Sequence, residues 1–359
     1  MRAASVSWEE TAIDGNARAG VLHTPHGDVP TPGFMPVGTR AAVRGVDVDD
    51  LIRVGARMVL ANTYHLMLRP GADSIERLGG LHDFWGWEAP ILTDSGGYQV
   101  FSLSPRITEE GAQFRSTYDG SSVNLTPEDA IRVQESLGAD IAMVLDVCVG
   151  LPAPSEKVRE GMERTLRWAE RSQAAASRAD QGLFGIVQGG VDPGLREDSA
   201  RRTAELGFAG YGIGGLSVGE SVRERNLALE AAFPALPRAA PRYVMGLGDT
   251  EGVLGAVGRG ADLFDCVWPT RLARHGRVFS TDGDFNLRRA EFALDRRPLD
   301  SSCPCWTCAA HHRAYLRHLL ASNELAAFRL LSIHNLTYTV SVLARAREAI
   351  VNGTLQEFT

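Results

Sequence analysis

The sequence predicts an α/β fold, namely a (β/α)8 TIM barrel that carries an inserted β-hairpin and a small C-terminal subdomain. Two observations predict the barrel: short apolar runs alternate with amphipathic helical patterns, and polar side chains follow several of these runs directly. Eight strands that alternate with helices favour a closed parallel barrel, although the same order also fits an open doubly wound sheet. The apolar runs are 34–37, 58–61, 91–93, 141–145, 183–187, 211–213, 243–245 and 261–264.

Start and turn signals assign the segments between the strands. Thr126-Pro127-Glu128-Asp129 combines an N-cap, a proline at the first helical position and two acids, which predicts a helix start; a second helix begins near Ser155. The turn Tyr118-Asp119-Gly120 lies between β-leaning runs and predicts a hairpin at about 98–125, after the third strand. We expect three parts: a barrel core at 1–268, a metal-bearing subdomain at 269–335, and a C-terminal helix that completes the barrel at 336–359.

Composition limits the class of protein. With 44% hydrophobic and 23% charged residues in 359, the chain has the composition of an ordinary globular protein. A net charge of −7 excludes a strongly cationic nucleic-acid coat but leaves room for a local basic patch. Residues 1–20 mix charges with small residues and offer no apolar core for a signal peptide. The apolar runs are also far below the roughly 18 residues of a membrane span. We therefore expect a cytoplasmic protein that does not bind membranes.

Three of the five cysteines are crowded into one short segment. Cys303, Cys305 and Cys308, together with the distant His334, supply four soft or borderline ligands. In a reducing compartment such a cluster favours metal over disulfides, and four protein ligands complete a tetrahedron around a structural zinc ion, one per chain. The 269–335 segment is therefore predicted to be a zinc-binding subdomain. Three reduced thiols in a loop are the alternative. Rival ligands for the fourth position are His311, His312 and His318.

Polar or flexible residues come directly after the apolar runs, where a barrel assembles its active site. One aspartate after a strand is more often a helix N-cap, but several that converge on one rim favour a site. Asp94 and Asp265 suit a retaining glycosyl transfer, with one carboxylate as nucleophile and a second group to move a proton. A barrel hydrolase with the same carboxylates as metal ligands is also possible, although only His65 lies near a strand end. The rim positions are Asn62, Asp94, Asp146, Gln188, Gly215, Met245 and Asp265.

A group of basic residues follows the last predicted strand. Arg271, Arg274, His275 and Arg277 come soon after Asp265. Beside a catalytic rim such a patch would hold a phosphate backbone, with an affinity that falls as salt rises. The alternative is a solvated loop whose charge is balanced by the acids that follow it.

Several motifs together resemble the bacterial tRNA-guanine transglycosylase family. They are Thr-Asp-Ser-Gly-Gly-Tyr-Gln-Val at 93–100, Phe-Asp-Cys-Val-Trp-Pro-Thr-Arg at 264–271, Ala-Asn-Thr-Tyr-His-Leu at 61–66, Gly-Gly-Leu at 214–216, and the cysteine cluster with its histidine. The resemblance spans nearly the whole chain. It implies a zinc-containing β/α barrel that exchanges guanine at the wobble position of G-U-N anticodons for a 7-deazaguanine, on the way to queuosine. The implied partners are a tRNA anticodon stem-loop, the 7-deazaguanine base and a second copy of the chain in a homodimer.

The resemblance also implies a role for each site residue. Asp265 matches the nucleophile that attacks the ribose anomeric carbon, and Asp94 matches the general acid/base that protonates the departing guanine. The other matches are base contacts from Asp146, Gln188, Gly215, Leu216, Tyr98 and Met245, ribose contacts from Ser95, Gln99 and Asn62, uridine contacts from Arg271 and Arg274, and zinc ligation by Cys303, Cys305, Cys308 and His334.

A few positions refine or depart from that resemblance. Cys148 and Val218 fit the bacterial pattern, which implies 7-aminomethyl-7-deazaguanine as the incoming base. Val147 and Ile333 stand where acids are expected, and His311 replaces an aromatic residue. The alternative from another class of protein is a non-catalytic tRNA-binding subunit of a transglycosylase complex. The presence of both carboxylates argues against it.

Overall fold

The computed structural model describes residues 6–358 of the chain. Residues 1–5 and Thr359, at the outer ends of the predicted barrel core and C-terminal helix, lie outside the described residues. The strands, in chain order, are β1 (Ser7–Asp14), β2 (Ala17–Thr24), β3 (Gly27–Thr31), β4 (Gly33–Gly38), β5 (Val59–Ala61), β6 (Ile91–Thr93), β7 (Arg106–Ile107), β8 (Ala112–Arg115), β9 (Ser122–Leu125), β10 (Ile141–Met143), β11 (Gly182–Val187), β12 (Gly210–Ile213), β13 (Arg242–Val244), β14 (Leu263–Cys266), β15 (Arg277–Val278) and β16 (Phe285–Asn286).

Eight of these strands close into a parallel barrel in the order β4-β5-β6-β10-β11-β12-β13-β14. The last strand pairs with the first, for example Phe264 with Phe34, and this pairing excludes the open doubly wound sheet. Each of the eight predicted runs overlaps one barrel strand, so the predicted barrel is confirmed. The runs are apolar because both faces of these strands are buried, one inside the barrel and one under the surrounding helices.

Helices follow the barrel strands and cover them. The predicted start at Thr126 is confirmed: its side chain accepts from the Asp129 backbone N–H, and Asp129 bonds back in a capping box. The second predicted helix begins at Ser155, as expected. The helices are α1 (Val48–Arg53), α2 (Thr63–Leu68), α3 (Ala72–Arg77), α4 (Gly80–Trp85), α5 (Gly97–Ser102), α6 (Pro127–Leu137), α7 (Ser155–Ala175), α8 (Pro193–Glu205), α9 (Val222–Ala232), α10 (Thr250–Val257), α11 (Trp268–Arg274), α12 (Trp306–Ala310), α13 (Arg313–Ala321), α14 (Leu325–Asn352) and α15 (Leu355–Phe358).

The insertion after the third barrel strand contains the predicted hairpin. Strands β8 and β9 pair antiparallel and are joined through the segment with the Tyr118-Asp119-Gly120 turn. The short strand β7 extends the hairpin to a three-stranded sheet, and helix α5 precedes it. The hairpin brings Tyr118 back to the rim, where its hydroxyl lies 2.9 Å from Nδ1 of His65.

An antiparallel sheet of β1, β2 and β3 precedes the barrel and was not predicted. It is anchored to the barrel by a buried ion pair between Arg18 in β2 and Asp262, the residue before β14. Arg18 also lies flat over the ring of Trp8, 4.0 Å from its centre. The sheet therefore covers the N-terminal end of the barrel strands, and the C-terminal end stays open for a site.

The C-terminal part has a small apolar core of its own, built from residues such as Val278, Leu287 and Leu316. Helix α14 joins both cores, because Leu331 packs in this small core and Leu336 packs in the barrel core. The helix runs unbroken across the expected boundary at 335/336. None of the helices in the described residues is long and apolar enough to span a lipid bilayer.

Candidate active site

A cleft of about 520 Å³ opens at the C-terminal ends of the barrel strands. It brings together most of the side chains that the sequence places after the strands. Gln188 does not line the cleft itself, but its side chain contacts Asp146, which does. Arg274 also lies outside the lining, one helical turn beyond Thr270 on α11. The predicted site residues that line the cleft are Asn62, Asp94, Ser95, Tyr98, Gln99, Asp146, Gly215, Leu216, Met245, Asp265 and Arg271.

Asp94 follows β6 directly and is held by three donors. Its Oδ1 accepts from the backbone N–H groups of Thr63 and Gly96, each at 3.0 Å, and its Oδ2 accepts from the side-chain amide of Asn62. Burial raises the pKa of Asp94 to about 7, and the nearby negative charge of Asp265 adds to the rise. A carboxyl group with this pKa exists in both protonation states near neutral pH, so it can donate and then accept a proton.

Asp265 lies on β14 with both of its donors on one oxygen. Its Oδ1 accepts from the Tyr243 hydroxyl at 2.6 Å and from the Gly246 backbone N–H at 2.7 Å. Within the described part of the chain, Oδ2 accepts no hydrogen bond. Burial raises the pKa of Asp265, while the two donors oppose that rise. The carboxylate therefore has one oxygen fixed and one oxygen available for attack.

Tyr243 is a functional residue that the sequence reasoning missed. It lies on β13, fully buried, and its side chain points into the same cleft. Burial and the charge of Asp265 raise the pKa of the phenol well above its ordinary value, so the hydroxyl remains a donor at neutral pH. In the sequence Tyr243 is one residue of the apolar run 243–245. Only its position beside Asp265 in the structure indicates that it holds that carboxylate.

One wall of the cleft, called the far wall here, is formed by Asp146, Ser95 and Gly215 and presents hydrogen-bonding groups. The Gln188 amide donates to Oδ2 of Asp146 at 2.6 Å, and the Ser95 hydroxyl donates to Oδ1 at 3.5 Å. Burial raises the pKa of Asp146 to about 6. Gly215 has φ of +65°, and a Cβ there would collide with the side-chain oxygen of Gln188. A glycine at this turn therefore lets the Gln188 side chain pack directly against the backbone.

A buried arginine supports this wall and was also missed. Arg196 of α8 is fully buried and has no carboxylate partner within the described residues. Its guanidinium donates to the carbonyls of Gly190 at 2.7 Å, Val187 at 2.9 Å and Gly214 at 2.8 Å. It thereby ties the turns after β11 and β12 together. Burial lowers its pKa to about 10, so the side chain is still charged at neutral pH.

A second support is the carboxylate of Glu220. It accepts from the backbone N–H groups of Ser217 at 2.5 Å and Val218 at 3.0 Å, directly after the Gly215-Leu216 turn. Its two bonds fix the path of the loop that carries Val218 along the cleft.

The mouth of the cleft is aromatic and basic. Tyr98 is 58% exposed on one side, and Trp268, which was not predicted as a site residue, is 44% exposed on the other. Arg271 lies one turn after Trp268 on α11 and also lines the cleft. The pKa of Arg274 is lowered by burial and by the positive charges of Arg44 and Arg271, so these three guanidinium groups lie close together.

The four predicted metal ligands come together in the C-terminal subdomain. Nδ1 of His334 lies 3.5 Å from Sγ of Cys305 and 3.2 Å from Sγ of Cys308, and Cys303 completes the group. Nε2 of His334 donates to the Phe279 carbonyl at 2.8 Å, which leaves the Nδ1 lone pair facing the sulfurs. Hydrogen bonds from the other two thiols lower the pKa of Cys308. The group can hold a metal ion.

The departures from the family pattern in this subdomain are accommodated by packing. Ile333 is buried in the barrel core beside His334, where an acid would need a partner. His311 keeps the aromatic contacts of its position, because its ring lies 5.9 Å from Trp306 and 5.1 Å from Tyr315. The rival ligands His311, His312 and His318 lie outside the metal-holding group.

A parallel barrel with two buried carboxylates in a cleft at its C-terminal rim is the arrangement of a barrel enzyme that combines nucleophilic and acid–base chemistry. The sequence model of the family described as queuine tRNA-ribosyltransferase matches residues 14–359. The chain belongs to this family.

Individual relatives agree over nearly full length. A queuine tRNA-ribosyltransferase of Moorella thermoacetica is 52% identical over 343 residues, which cover 95% of this chain and 92% of the relative. Those of Symbiobacterium thermophilum and Thioalkalivibrio sulfidiphilus are 50% and 49% identical and cover 99% and 98% of this chain, and 90% and 95% of the respective relatives.

Proposed function

We propose that the chain is a tRNA-guanine transglycosylase that exchanges the wobble guanine of G-U-N anticodons for 7-aminomethyl-7-deazaguanine through an aspartyl–ribose ester. Family membership supports the overall activity. The observation that carries the mechanism is the pair of carboxylates in one cleft: Asp265 has an oxygen without a donor, and Asp94 has a pKa of about 7.

In the first half of the reaction, Oδ2 of Asp265 attacks C1′ of the flipped nucleotide. The C1′–N9 bond breaks, its electron pair goes to the guanine ring, and the ring takes a proton from Asp94. The products are a glycosyl ester on Asp265 and free guanine. Tyr243 and the Gly246 backbone hold the other oxygen of Asp265 and so direct Oδ2 toward the sugar.

In the second half, the incoming base replaces guanine in the same position. Asp94, now ionised, takes a proton from the ring nitrogen of this base, and the nitrogen attacks C1′. The C1′–O bond breaks and Asp265 returns as a carboxylate, so both residues end in their starting states. Water must stay out while the ester exists, because hydrolysis would leave an abasic tRNA; a flat base that fills the cleft excludes it.

The far wall of the cleft suits recognition of a guanine-like edge. Asp146 accepts hydrogen bonds from ring and exocyclic N–H groups, and Gln188 and the Gly215-Leu216 backbone supply further contacts. Tyr98 and Met245 line the cleft and would stack on the two faces of the base. Burying such polar groups without a partner is costly, so a base that lacks the matching edge is rejected. Cys148 and Val218 also line the cleft and would lie beside the aminomethyl group of the incoming base.

The mouth of the cleft suits RNA. Ser95, Gln99 and Asn62 line the cleft and would contact the ribose. Arg271 and Arg274 would bind the nucleotides on either side of the flipped base. The exposed indole of Trp268 offers a flat surface on which a neighbouring base can stack.

The subdomain ligands fit a structural zinc ion. Cys303, Cys305, Cys308 and His334 provide four ligands of the types that zinc prefers, and with all four bound no position is left open for chemistry. Zinc would therefore supply folding energy to the subdomain. The resemblance to the family also supports a homodimer and a cytoplasmic location as predictions.

The direct test is base exchange by the purified chain alone. We expect wild-type protein to incorporate labelled guanine into unmodified tRNA carrying a G-U-N anticodon, and Asp265→Asn and Asp94→Ala to lose nearly all incorporation while tRNA still binds. Arg201→Ala, on the distant surface of α8, is a control that should keep full activity. If the wild-type chain binds tRNA but exchanges no base, the alternative of a non-catalytic tRNA-binding subunit is favoured.

A further inference from the structure

A second group of possible metal ligands lies at the opposite end of the barrel from the cleft. His26 in the turn between β2 and β3, His82 on α4, and Asp140 directly before β10 place one nitrogen or carboxylate oxygen each within 4.8 Å of the others. These residues are far apart in the sequence, and each belongs to a different part of the fold: the N-terminal sheet, a surface helix and the start of a barrel strand.

The imidazole of His82 is held in one orientation. Its Nδ1 lies 2.8 Å from the carbonyl of Trp87, and because a carbonyl only accepts, Nδ1 carries the proton. This is the arrangement by which a backbone carbonyl commonly orients a metal-binding histidine, with the other nitrogen presented to the metal.

Among residues 6–358, the other nitrogen of His82 finds no hydrogen-bond partner. Nε2 is buried and lies 3.3 Å from Oδ2 of Asp140, yet it makes no hydrogen bond to that oxygen. If Nε2 is unprotonated, its lone pair is buried next to a carboxylate; if it is protonated, the imidazolium pairs with Asp140 across 3.3 Å without a well-aligned hydrogen bond. Buried polar atoms of this kind are rare, and a bound ion would satisfy this one.

The spacing of these two atoms suits a shared cation. Two ligands that each lie about 2.1 Å from one tetrahedral metal are about 3.4 Å apart, close to the observed separation. The carboxylate of Asp140 is already held in place, because its Oδ2 accepts from the Ile91 backbone N–H at 2.8 Å and its Oδ1 from the His26 backbone N–H at 3.1 Å. Two of the four ligand positions of a tetrahedral metal, Nε2 of His82 and Oδ2 of Asp140, are therefore already in place.

We propose that His26, His82 and Asp140 form a second metal site, for a divalent ion such as Zn²⁺ or Co²⁺, that fastens the N-terminal sheet to the barrel. Two imidazoles and a carboxylate without a thiolate suit these borderline ions. The ring of His26 now stacks on that of His82 with centroids 3.6 Å apart, and parallel rings cannot both point at one ion. The side chain of His26 is 41% exposed, and its Nδ1 lies 2.8 Å from Oδ1 of Asp140. To bind the ion, His26 must turn out of the stack and exchange this contact for a bond to the metal.

The predicted effect is on metal content and stability, not on catalysis, because the site lies at the far end of the barrel from Asp94 and Asp265. The experiment uses the purified chain with its subdomain metal in place, equilibrated with micromolar ZnCl₂ and measured by metal analysis and calorimetric titration. We expect about two zinc ions per chain at saturation, and a higher thermal unfolding temperature with added Zn²⁺ than without.

Two variants assign the second ion. His82→Gln and His26→Ala should each weaken its binding about 10- to 100-fold, the usual cost of losing a metal-site contact. His318→Gln, which removes an exposed histidine elsewhere, should leave binding unchanged. His26→Ala lies in an exposed turn and keeps the assignment testable if His82→Gln folds poorly. A wild-type chain that binds only one zinc, or a second zinc that both variants bind as tightly as wild type, would overturn the proposal.

Discussion

The hydroxyl of Tyr243 donates to Oδ1 of Asp265 across 2.6 Å, from the neighbouring barrel strand. The Gly246 backbone N–H reaches the same oxygen at 2.7 Å. Because both donors bind Oδ1, it is Oδ2 that would face the substrate in the proposed mechanism. They also favour the ionised form of a carboxyl group whose pKa is raised by burial. The nucleophile is therefore prepared by a residue that touches no substrate in the proposed mechanism.

The first prediction concerns the loss of this donor. Tyr243→Phe removes a hydrogen bond to a charged group, worth about 1.5–3 kcal/mol, so we expect kcat to fall about 10- to 100-fold. Because the hydrogen bond lowers the pKa of Asp265, its loss raises that pKa, and the acid limb of the pH–rate profile should move to higher pH. The control is Tyr211→Phe, in the adjacent strand, whose hydroxyl donates to the Ala204 carbonyl at 3.5 Å. Equal profiles for Tyr243→Phe and wild type would contradict the assignment.

The second prediction concerns pH. The first half-reaction requires protonated Asp94 and ionised Asp265, and the pKa of Asp94 is about 7. The value of kcat/KM for tRNA should therefore fall about tenfold per pH unit well above pH 7.

The cause of that pKa can be tested separately. The charge of Asp265 is among the main causes of the raised pKa of Asp94, whereas that of Asp146 is not. Carbon-13 NMR of the Asp94 carboxyl should thus give a lower pKa in Asp265→Asn, and no comparable decrease in Asp146→Asn. An unchanged value in Asp265→Asn would show that the two catalytic carboxylates are not coupled.

The third prediction concerns Trp268. Of the six tryptophans, it alone is exposed, so quenching of tryptophan fluorescence by an anticodon stem-loop should report on it. Stacking on one base is worth about 1–3 kcal/mol, so Trp268→Ala should weaken stem-loop binding about 5- to 100-fold, and Trp268→Phe much less. Trp306→Phe, in the subdomain, should keep both the affinity and the quenching. A stem-loop that quenches Trp268→Phe as strongly as wild type would refute the stacking contact.

The fourth prediction concerns the subdomain metal. Cys305→Ser removes one of four ligands, so the protein should lose most of its tightly bound zinc and unfold at a lower temperature. Cys148→Ser is the control, because that buried cysteine lies outside the metal group and should keep the metal. The measurements are metal content and thermal unfolding of each protein. In a His82→Gln background, which weakens the proposed second site, retention of about one zinc by Cys305→Ser would exclude Cys305 as a ligand.

Much of the barrel could be predicted because its strands are buried on both faces and therefore appear as short apolar runs. The N-terminal sheet could not be recognised in this way. Strand β1 alternates exposed and buried residues around a bulge near Thr11, and β2 carries the buried charge of Arg18, so neither forms an apolar run. The sheet depends on the tertiary ion pair of Arg18 with Asp262, which sequence periodicity does not reveal.

The residues of the candidate site could also be predicted only in part. Asp94 and Asp265 could be identified because an acid that ends an apolar run is conspicuous. Tyr243 and Arg196 could not, because a tyrosine inside a strand reads as core and an arginine on a helix reads as surface. Their roles come from their partners, the Oδ1 atom of Asp265 and the carbonyls after β11 and β12.

The central claim is that Asp265 becomes covalently attached to RNA. Wild-type protein and the Asp265→Asn variant should be incubated with a G-U-N stem-loop, denatured, and analysed by intact mass spectrometry and peptide mapping. We predict that wild type carries an RNA adduct from which guanine is missing, mapped to the peptide that contains Asp265, and that the variant carries none. An adduct on another side chain, or an equal adduct on Asp265→Asn, would contradict the account.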